Sequence, residues 1–334
     1  MAVEWLIPVL AFGVAWGVTR QCCRPGSWLY FLDHPNERSL HVRPTPRTGG
    51  VGVMAGVLAA GLALWLADGL GNGLFAALGG AMLLAAIGLL DDRRSLPARL
   101  RFLVQFVAAA SVLALLGLEQ PGWLRVLMTV GLVWMANLYN FMDGADGLAG
   151  GMGLFGFSAL AAAAWLGDLP ALALLAASIA AAAAGFLCFN FHPARIFMGD
   201  AGSVPLGFLA GALGLCGSGA GAWPLWFPLL VFAPFILDAS VTLLQRALRR
   251  ERVWQAHRTH YYQRLVQLGF GHRRTALLAY FLMAGSGASA VGMLRLDFSW
   301  QWALITIVLL MHFLLGLGID VAWRRHLARS ASRP

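Results

Sequence analysis

Long apolar runs alternate with short polar breaks along the whole chain. A helix of about 20 mostly apolar residues crosses a bilayer. Eleven runs approach that length, at about 3–20, 49–67, 72–90, 102–118, 123–141, 147–166, 170–188, 204–219, 223–245, 276–294 and 299–319. The pattern predicts an all-α integral membrane protein with about eleven transmembrane helices. The first run is expected to remain as a span, because Glu4 stands where a signal peptide carries basic residues and Arg20 closes the run. The breaks are short, so residues 1–334 read as one polytopic domain.

Composition strengthens this picture. The chain is 59% hydrophobic and 12% charged, with a mean hydropathy of +0.72. A soluble domain carries about 25% charged residues. The 40 glycines and 13 tryptophans suit a membrane interior and its interfaces. All 24 basic residues are arginine. The absence of lysine excludes Schiff-base, pyridoxal-phosphate and Walker A chemistry. Cys22, Cys23, Cys188 and Cys216 form no CxxC pair and no disulfide framework.

The arginines orient the chain. Placing loop 21–48 in the cytoplasm also places 91–101, 137–147, 189–203, 246–275 and the tail after 320 there. With Arg20, at the end of the first run, counted to the adjoining loop, these segments hold 22 of the 24 arginines, and only Arg125 and Arg295 fall outside them. The positive-inside rule then predicts an outside N-terminus and a cytoplasmic C-terminus. The net charge of +9 follows from this bias. It is no footprint for nucleic acid, which needs a basic soluble face.

The polar clusters fall on that same side. Asp91 and Asp92 end the third run, and adjacent carboxylates there cost free energy unless a cation or a function compensates. The bland alternative is a solvated helix end paired with Arg93 and Arg94. The run Asn137-Leu-Tyr-Asn140-Phe-Met-Asp143-Gly-Ala-Asp146-Gly is dense in oxygen donors. Asn137 and Asn140 share a helix face, and the glycines then free the backbone. Such a loop suits a hard cation and phosphates, or else a hydrogen-bonded turn. Phe197-Met-Gly-Asp200-Ala-Gly-Ser203 sets a carboxylate and glycines before a helix, where Asp200 is either an N-cap or a Mg²⁺ ligand.

His257-Arg258-Thr-His260 lacks the third ligand that zinc needs, so phosphate or sugar recognition is the better reading. A lipid-hugging loop accounts for its neighbours Arg249, Arg250, Arg252, Arg273 and Arg274. Within spans, Asp238 is positioned to orient a loop arginine, and His312 reads as a satisfied interior group. Gly52-x-x-x-Gly56 and Gly207-x-x-x-Gly211 mark close helix packing, within one bundle or between two copies.

The order of these motifs resembles the polyprenyl-phosphate N-acetylhexosamine-1-phosphate transferase superfamily of membrane enzymes. The resemblance begins at Asp33-His-Pro35-Asn-Glu-Arg38-Ser-Leu-His41 and Pro44-Thr-Pro46-Arg47-Thr-Gly49-Gly50. It continues through the three clusters above to the His257 loop, spanning about 33–265. It implies phosphoryl transfer at the cytoplasmic face of a bacterial inner membrane. A polyprenyl phosphate such as undecaprenyl phosphate attacks the β-phosphorus of a UDP-N-acetyl sugar, and UMP leaves. In this reading Asn140 and Asp200 bind Mg²⁺, with Mn²⁺ as a substitute, while Asp91 and Asp92 handle the lipid phosphate as base or positioner.

By the same resemblance, Asn137, Asp143, Asp146, Asn190 and Phe197 line the nucleotide pocket, with Phe197 stacking the uracil. His257, Arg258 and His260 meet the sugar. The His257–Arg264 run lacks consecutive histidines and looks more like the O-antigen and exopolysaccharide-initiating branch than the branch that transfers phospho-muramoyl-pentapeptide. Family members often place a lysine near the phosphates, so an arginine such as Arg47 or Arg93 has to serve here. Direct attack is favoured over a covalent aspartyl intermediate. The donors in view are UDP-GlcNAc and 6-deoxy relatives such as UDP-FucNAc and UDP-QuiNAc. A homodimer is compatible with the glycine motifs. The rival from another class is a secondary transporter, which would hold its site at mid-membrane between repeated halves; a scaffold would leave the carboxylates unexplained.

Overall fold

The computed structural model describes residues 4, 6–35, 39–68, 70–117, 120–253, 255 and 257–331. Asn36, Glu37 and Arg38 of the first motif, and Glu119 and Arg333, lie outside the described residues. Helices occupy all eleven expected windows. They are α1 (Leu6–Cys22), α2 (Gly49–Asp68), α3 (Asn72–Arg94), α4 (Ala98–Leu116), α5 (Gly122–Phe141), α6 (Leu148–Leu166), α7 (Pro170–Asn190), α8 (Asp200–Gly219), α9 (Trp226–Val231), α10 (Ala233–Leu248), α11 (Tyr261–Leu265), α12 (Gly271–Met293) and α13 (Phe298–Ala331). Eight helices among the described residues are long and apolar enough to cross a membrane. Helix α1 has 17 residues, and α5, with 20, is diluted by Arg125, Asn137 and Asn140.

One expected span is two helices. The run 223–245 breaks at Phe232 between α9 and α10. Pro234 supplies the reason, since its ring removes one N–H and clashes with the carbonyl four residues back. A second departure is α13, which continues to Ala331 instead of stopping at 319.

Helices α7 and α8 form the centre: 72% and 83% of their apolar windows are buried, against 17% for α13. Lipid tails are as apolar as leucine, so close packing of small residues carries helix association. Gly52 and Gly56 of α2 meet α1 at Thr19 and Ala11. Gly207 and Gly211 of α8 meet α5 at Met135 and Leu132. The small-residue motifs therefore pack within one chain. All four cysteines are free.

Between α1 and α2 the chain forms a two-stranded antiparallel ribbon, β1 (Leu32–Asp33) with β2 (Thr45–Pro46), in the register Leu32 to Pro46 and Asp33 to Thr45. This ribbon lays the segment 45–50 against the start of α8.

Candidate active site

Four segments meet at one end of the bundle. Pro97 disfavours helical backbone at Leu96, and α3 ends with Ser95 at φ 49°. The Ser95 N–H returns to the Asp91 carbonyl at 2.9 Å. The Leu96 N–H donates to Asp91 Oδ1 at 2.6 Å. Arg101, one turn into α4, donates from Nη1 to Asp91 Oδ2 at 2.6 Å and lies 3.7 Å from Asp200 Oδ2. One guanidinium thus bridges two carboxylates. Asp92 is 6% exposed, and its Oδ1 lies 3.6 Å from Arg47 Nε. The Arg47 guanidinium also donates to the Asp92 carbonyl, and Asp92 Oδ2 is buried without a hydrogen-bond partner, close to the start of α8. Arg93 does not pair with the aspartates: its guanidinium lies 4.6 Å from the centre of the Phe31 ring and 5.8 Å from that of Trp28.

The second segment joins two loops backbone to backbone. Phe197 N–H donates to Pro46 O at 2.7 Å, Gly49 N–H to Phe197 O at 2.9 Å, and Gly50 N–H to Met198 O at 2.8 Å. Gly50 and Gly202 approach so closely that a Cβ on either would overlap the other's backbone. Gly199, at φ 69°, takes the N-cap position of α8. Asp200 is therefore a first-turn residue and not the cap. The helix dipole favours its charge, and the Asn140 side chain lies beside its carboxylate.

The third segment is the run 137–147. Asn137 lies deeper than the carboxylates and spends its amide on Gln105 Oε1 and Val133 O, both at 2.7 Å. Asp143 takes the Gly199 N–H. Burial, then the charges of Asp200 and Asp92, push its carboxyl well above the usual carboxylate range. Asn190, 3% exposed, accepts from Gly147 N–H at 2.9 Å and donates to Ile196 O at 2.8 Å. It ties two loops together. Asp146 takes His192 Nδ1 at 2.6 Å and the Ala194 N–H at 3.1 Å. Phe197 sits with its ring 4.8 Å from that of His41.

The fourth segment is the loop 257–263. Tyr262 Oη donates to Phe141 O at 3.0 Å, which fixes this loop beside the end of α5. Asp238 does not orient a loop arginine. Its carboxylate accepts the N–H groups of Tyr261 and Tyr262 at 2.9 and 3.0 Å and faces His260 Nδ1 at 3.3 Å. Two backbone donors without a partner inside α11, at its start, draw the charge more strongly than a distant guanidinium. The arginine of this loop region, Arg264, pairs instead with Asp320. His257 and His260 stand 4.8 Å apart, and Arg258 is exposed. His312 is only half satisfied: Nδ1 meets Val308 O at 2.8 Å, while Nε2 is buried without a partner.

Asp91, Asp92, Asp143 and Asp200 thus face two guanidinium groups, Arg47 and Arg101. Among the described residues no three His, Cys, Asp or Glu side chains are arranged to hold a metal ion by themselves. An octahedral Mg²⁺ site fits such a set, because it takes one or two carboxylates and leaves its other positions to phosphate and water. Asp200 with Asn140 supplies hard oxygen donors, and the surplus negative charge suits a cation. Arg101, His192 and His272 belong to this end of the molecule and carry no motif signal. Arg101 alone could have been suspected, as an arginine in the first turn of the helix that follows the Asp-Asp pair.

A helical membrane protein with a carboxylate and arginine cluster at one end of its bundle is the class that fold and site define. Comparison with known proteins narrows the class. Glycosyl transferase family 4 matches residues 74–218. The chain is 31% identical to a probable undecaprenyl-phosphate N-acetylglucosaminyl 1-phosphate transferase of Bacillus subtilis, covering 75% of this chain and 74% of that one. It is 35% identical to the decaprenyl-phosphate N-acetylglucosaminephosphotransferase of Mycolicibacterium smegmatis, over 77% and 75%. It is 29% identical to the undecaprenyl-phosphate alpha-N-acetylglucosaminyl 1-phosphate transferase of Yersinia pestis, over 88% and 85%. The chain belongs to the polyprenyl-phosphate N-acetylhexosamine-1-phosphate transferase superfamily.

Proposed function

We propose that the chain transfers an N-acetylhexosamine 1-phosphate from a UDP-sugar to undecaprenyl phosphate. The acceptor phosphate oxygen bonds to the β-phosphorus, the bridging P–O bond breaks, and UMP leaves with its electron pair. The product, undecaprenyl-diphospho-sugar, initiates O-antigen or another surface polysaccharide. The observation that carries this reading is the convergence of Asp91, Asp92, Asp143, Asn140 and Asp200 with Arg47 and Arg101. Phosphoryl transfer needs positioning and charge neutralisation more than covalent chemistry, and this set provides both. The relatives' names put UDP-GlcNAc ahead of the 6-deoxy donors. The arginine bias supports a bacterial inner-membrane location with the site facing the cytoplasm.

Mg²⁺, held by Asp200 and Asn140, would neutralise the donor diphosphate. Asp92, enclosed and fixed by Arg47, positions the acceptor phosphate and takes its proton when it arrives as the monoanion; the second phosphate pKa lies near 6. Arg101 holds Asp91 and Asp200 in register and adds positive charge beside the transferred phosphoryl group. The loop of His257, Arg258 and His260 borders the sugar. Membranes supplied with undecaprenyl phosphate, Mg²⁺ and a panel of UDP-sugars test the reading by UMP release. Asp200→Asn and Asp92→Asn are expected to abolish release while the protein remains in the membrane. Full activity of both variants would sink the site assignment.

A further inference from the structure

Arg264 of α11 is 4% exposed, so its guanidinium meets protein and not ligand. All three of its nitrogens are engaged. Nε donates to the Thr259 carbonyl at 2.6 Å, Nη1 pairs with Asp320 Oδ1, and Nη2 donates to Gln245 Oε1 at 3.3 Å. The group also lies over the Tyr261 ring, 4.8 Å from its centre. Asp320 belongs to α13. Its Oδ2 accepts the Tyr261 hydroxyl at 3.2 Å and a Gln245 Nε2 hydrogen at 3.3 Å. One carboxylate of α13 thereby joins α10, α11 and, through Arg264, the segment before α11.

Thr259 is where this network reaches the site. It stands between Arg258 and His260, and its hydroxyl oxygen lies 3.0 Å from His257 Nδ1. Holding the Thr259 carbonyl therefore sets all three residues that border the sugar. The other ties are local: Gln267 Nε2 donates to the Arg258 carbonyl at 2.9 Å, and the His260 N–H donates to Gln263 Oε1 at 3.1 Å. They shape the segment without placing it in the molecule. Asp238 places it against α10, and Asp320 places it against α13. A buried ion pair adds little stability over apolar residues of similar volume. It does add geometry. The guanidinium is a rigid planar fork, so fixing Nη1 on Asp320 aims Nε at the Thr259 carbonyl.

We infer, on the UDP-sugar reading above, that Asp320 and Arg264 are positioning residues that set the 257–260 segment for the sugar of the donor. Neither touches the donor. The carboxylates and arginines proposed for the diphosphate come from other segments, so loss of the pair is felt by the sugar alone.

Equilibrium titration of the purified, detergent-solubilised protein with UDP-GlcNAc and with UDP, both with Mg²⁺, isolates the sugar. Asp320→Asn keeps the shape and loses the charge. It should weaken UDP-GlcNAc by about ten-fold, the worth of one hydrogen bond, and leave UDP unchanged. Asp320→Glu keeps the charge on Arg264 and should recover part of the loss. The double variant Arg264→Met with Asp320→Leu removes both charges together, an exchange that is often neutral for stability. Its thermal midpoint should stay near wild type while UDP-GlcNAc weakens as in Asp320→Asn. In turnover, Asp320→Asn should raise KM for the UDP-sugar and leave kcat near its wild-type value. Equal weakening of UDP and UDP-GlcNAc in Asp320→Asn, or unchanged UDP-GlcNAc binding in the double variant, would show that the pair only supports the fold. Either result overturns the inference and leaves the transferase reading standing. A wild type that binds neither ligand and releases no UMP overturns both.

Discussion

Arg101 holds two carboxylates with one group, and a planar fork with five donors does this better than a point charge. Arg101→Ala would leave Asp91 and Asp200 uncompensated, and UMP release should fall by about 10²–10³-fold, as when other transition-state donors are removed. Arg101→Lys should fall between wild type and the alanine variant, since it keeps charge and loses the bridge. His257 gives a prediction about pH. Burial first, then the charges of His260, Arg246 and Arg264, lower it to about 4 from an ordinary 6.5, against the pull of Asp238. Protonation of this ring therefore favours the unfolded chain, and stability falls as pH drops from about 6.5 toward about 4. His257→Gln should lose less over that window. Thermal midpoints of the two proteins measured between pH 4 and 7 should diverge toward acid, and parallel curves would refute the assignment. The carboxylates were legible because charge at the end of an apolar run is conspicuous. The roles of Arg101 and His272 were not, because their partners lie ten and 126 residues away and only the fold brings them together. Asn137 and Asn190 look like ligands in the sequence, yet each spends its hydrogen bonds inside the protein.

Between elements, the joint of loop 45–50 with the start of α8 sets the positions of Arg47, Asp92 and Asp200 together. Gly50→Ala would drive a methyl group into the Gly202 backbone. The expected cost is about 1–3 kcal/mol, typical of overpacking, read as a lower thermal midpoint in detergent. Activity should fall further than stability alone accounts for, because Arg47 moves with the loop. A variant with unchanged midpoint and activity would show that the contact is not tight in solution. Helix windows were legible from hydropathy, and the break at Phe232 had its cause in plain view at Pro234. What hydropathy could not give was the short α11 and the ribbon β1–β2. Neither carries a span-length signal, and both exist through tertiary hydrogen bonds, such as those that the Tyr261 and Tyr262 N–H groups of α11 donate to Asp238.

For the whole molecule, the bias of 22 of 24 arginines to one side predicts orientation. In a background with the four cysteines replaced by serine, Gln120→Cys should react with a membrane-impermeant maleimide on intact cells. Ser95→Cys should react only after permeabilisation, and the opposite pattern would invert the topology and place the site outside. The charge bridge of Arg101 also has a practical side. With no lysine in the chain, amine-directed reagents find no side-chain target, whereas dicarbonyls that condense with guanidinium groups find theirs at the centre of the site. Inactivation by such a reagent, slowed by bound nucleotide, offers a chemical assay of site occupancy that most proteins, rich in lysine, would obscure.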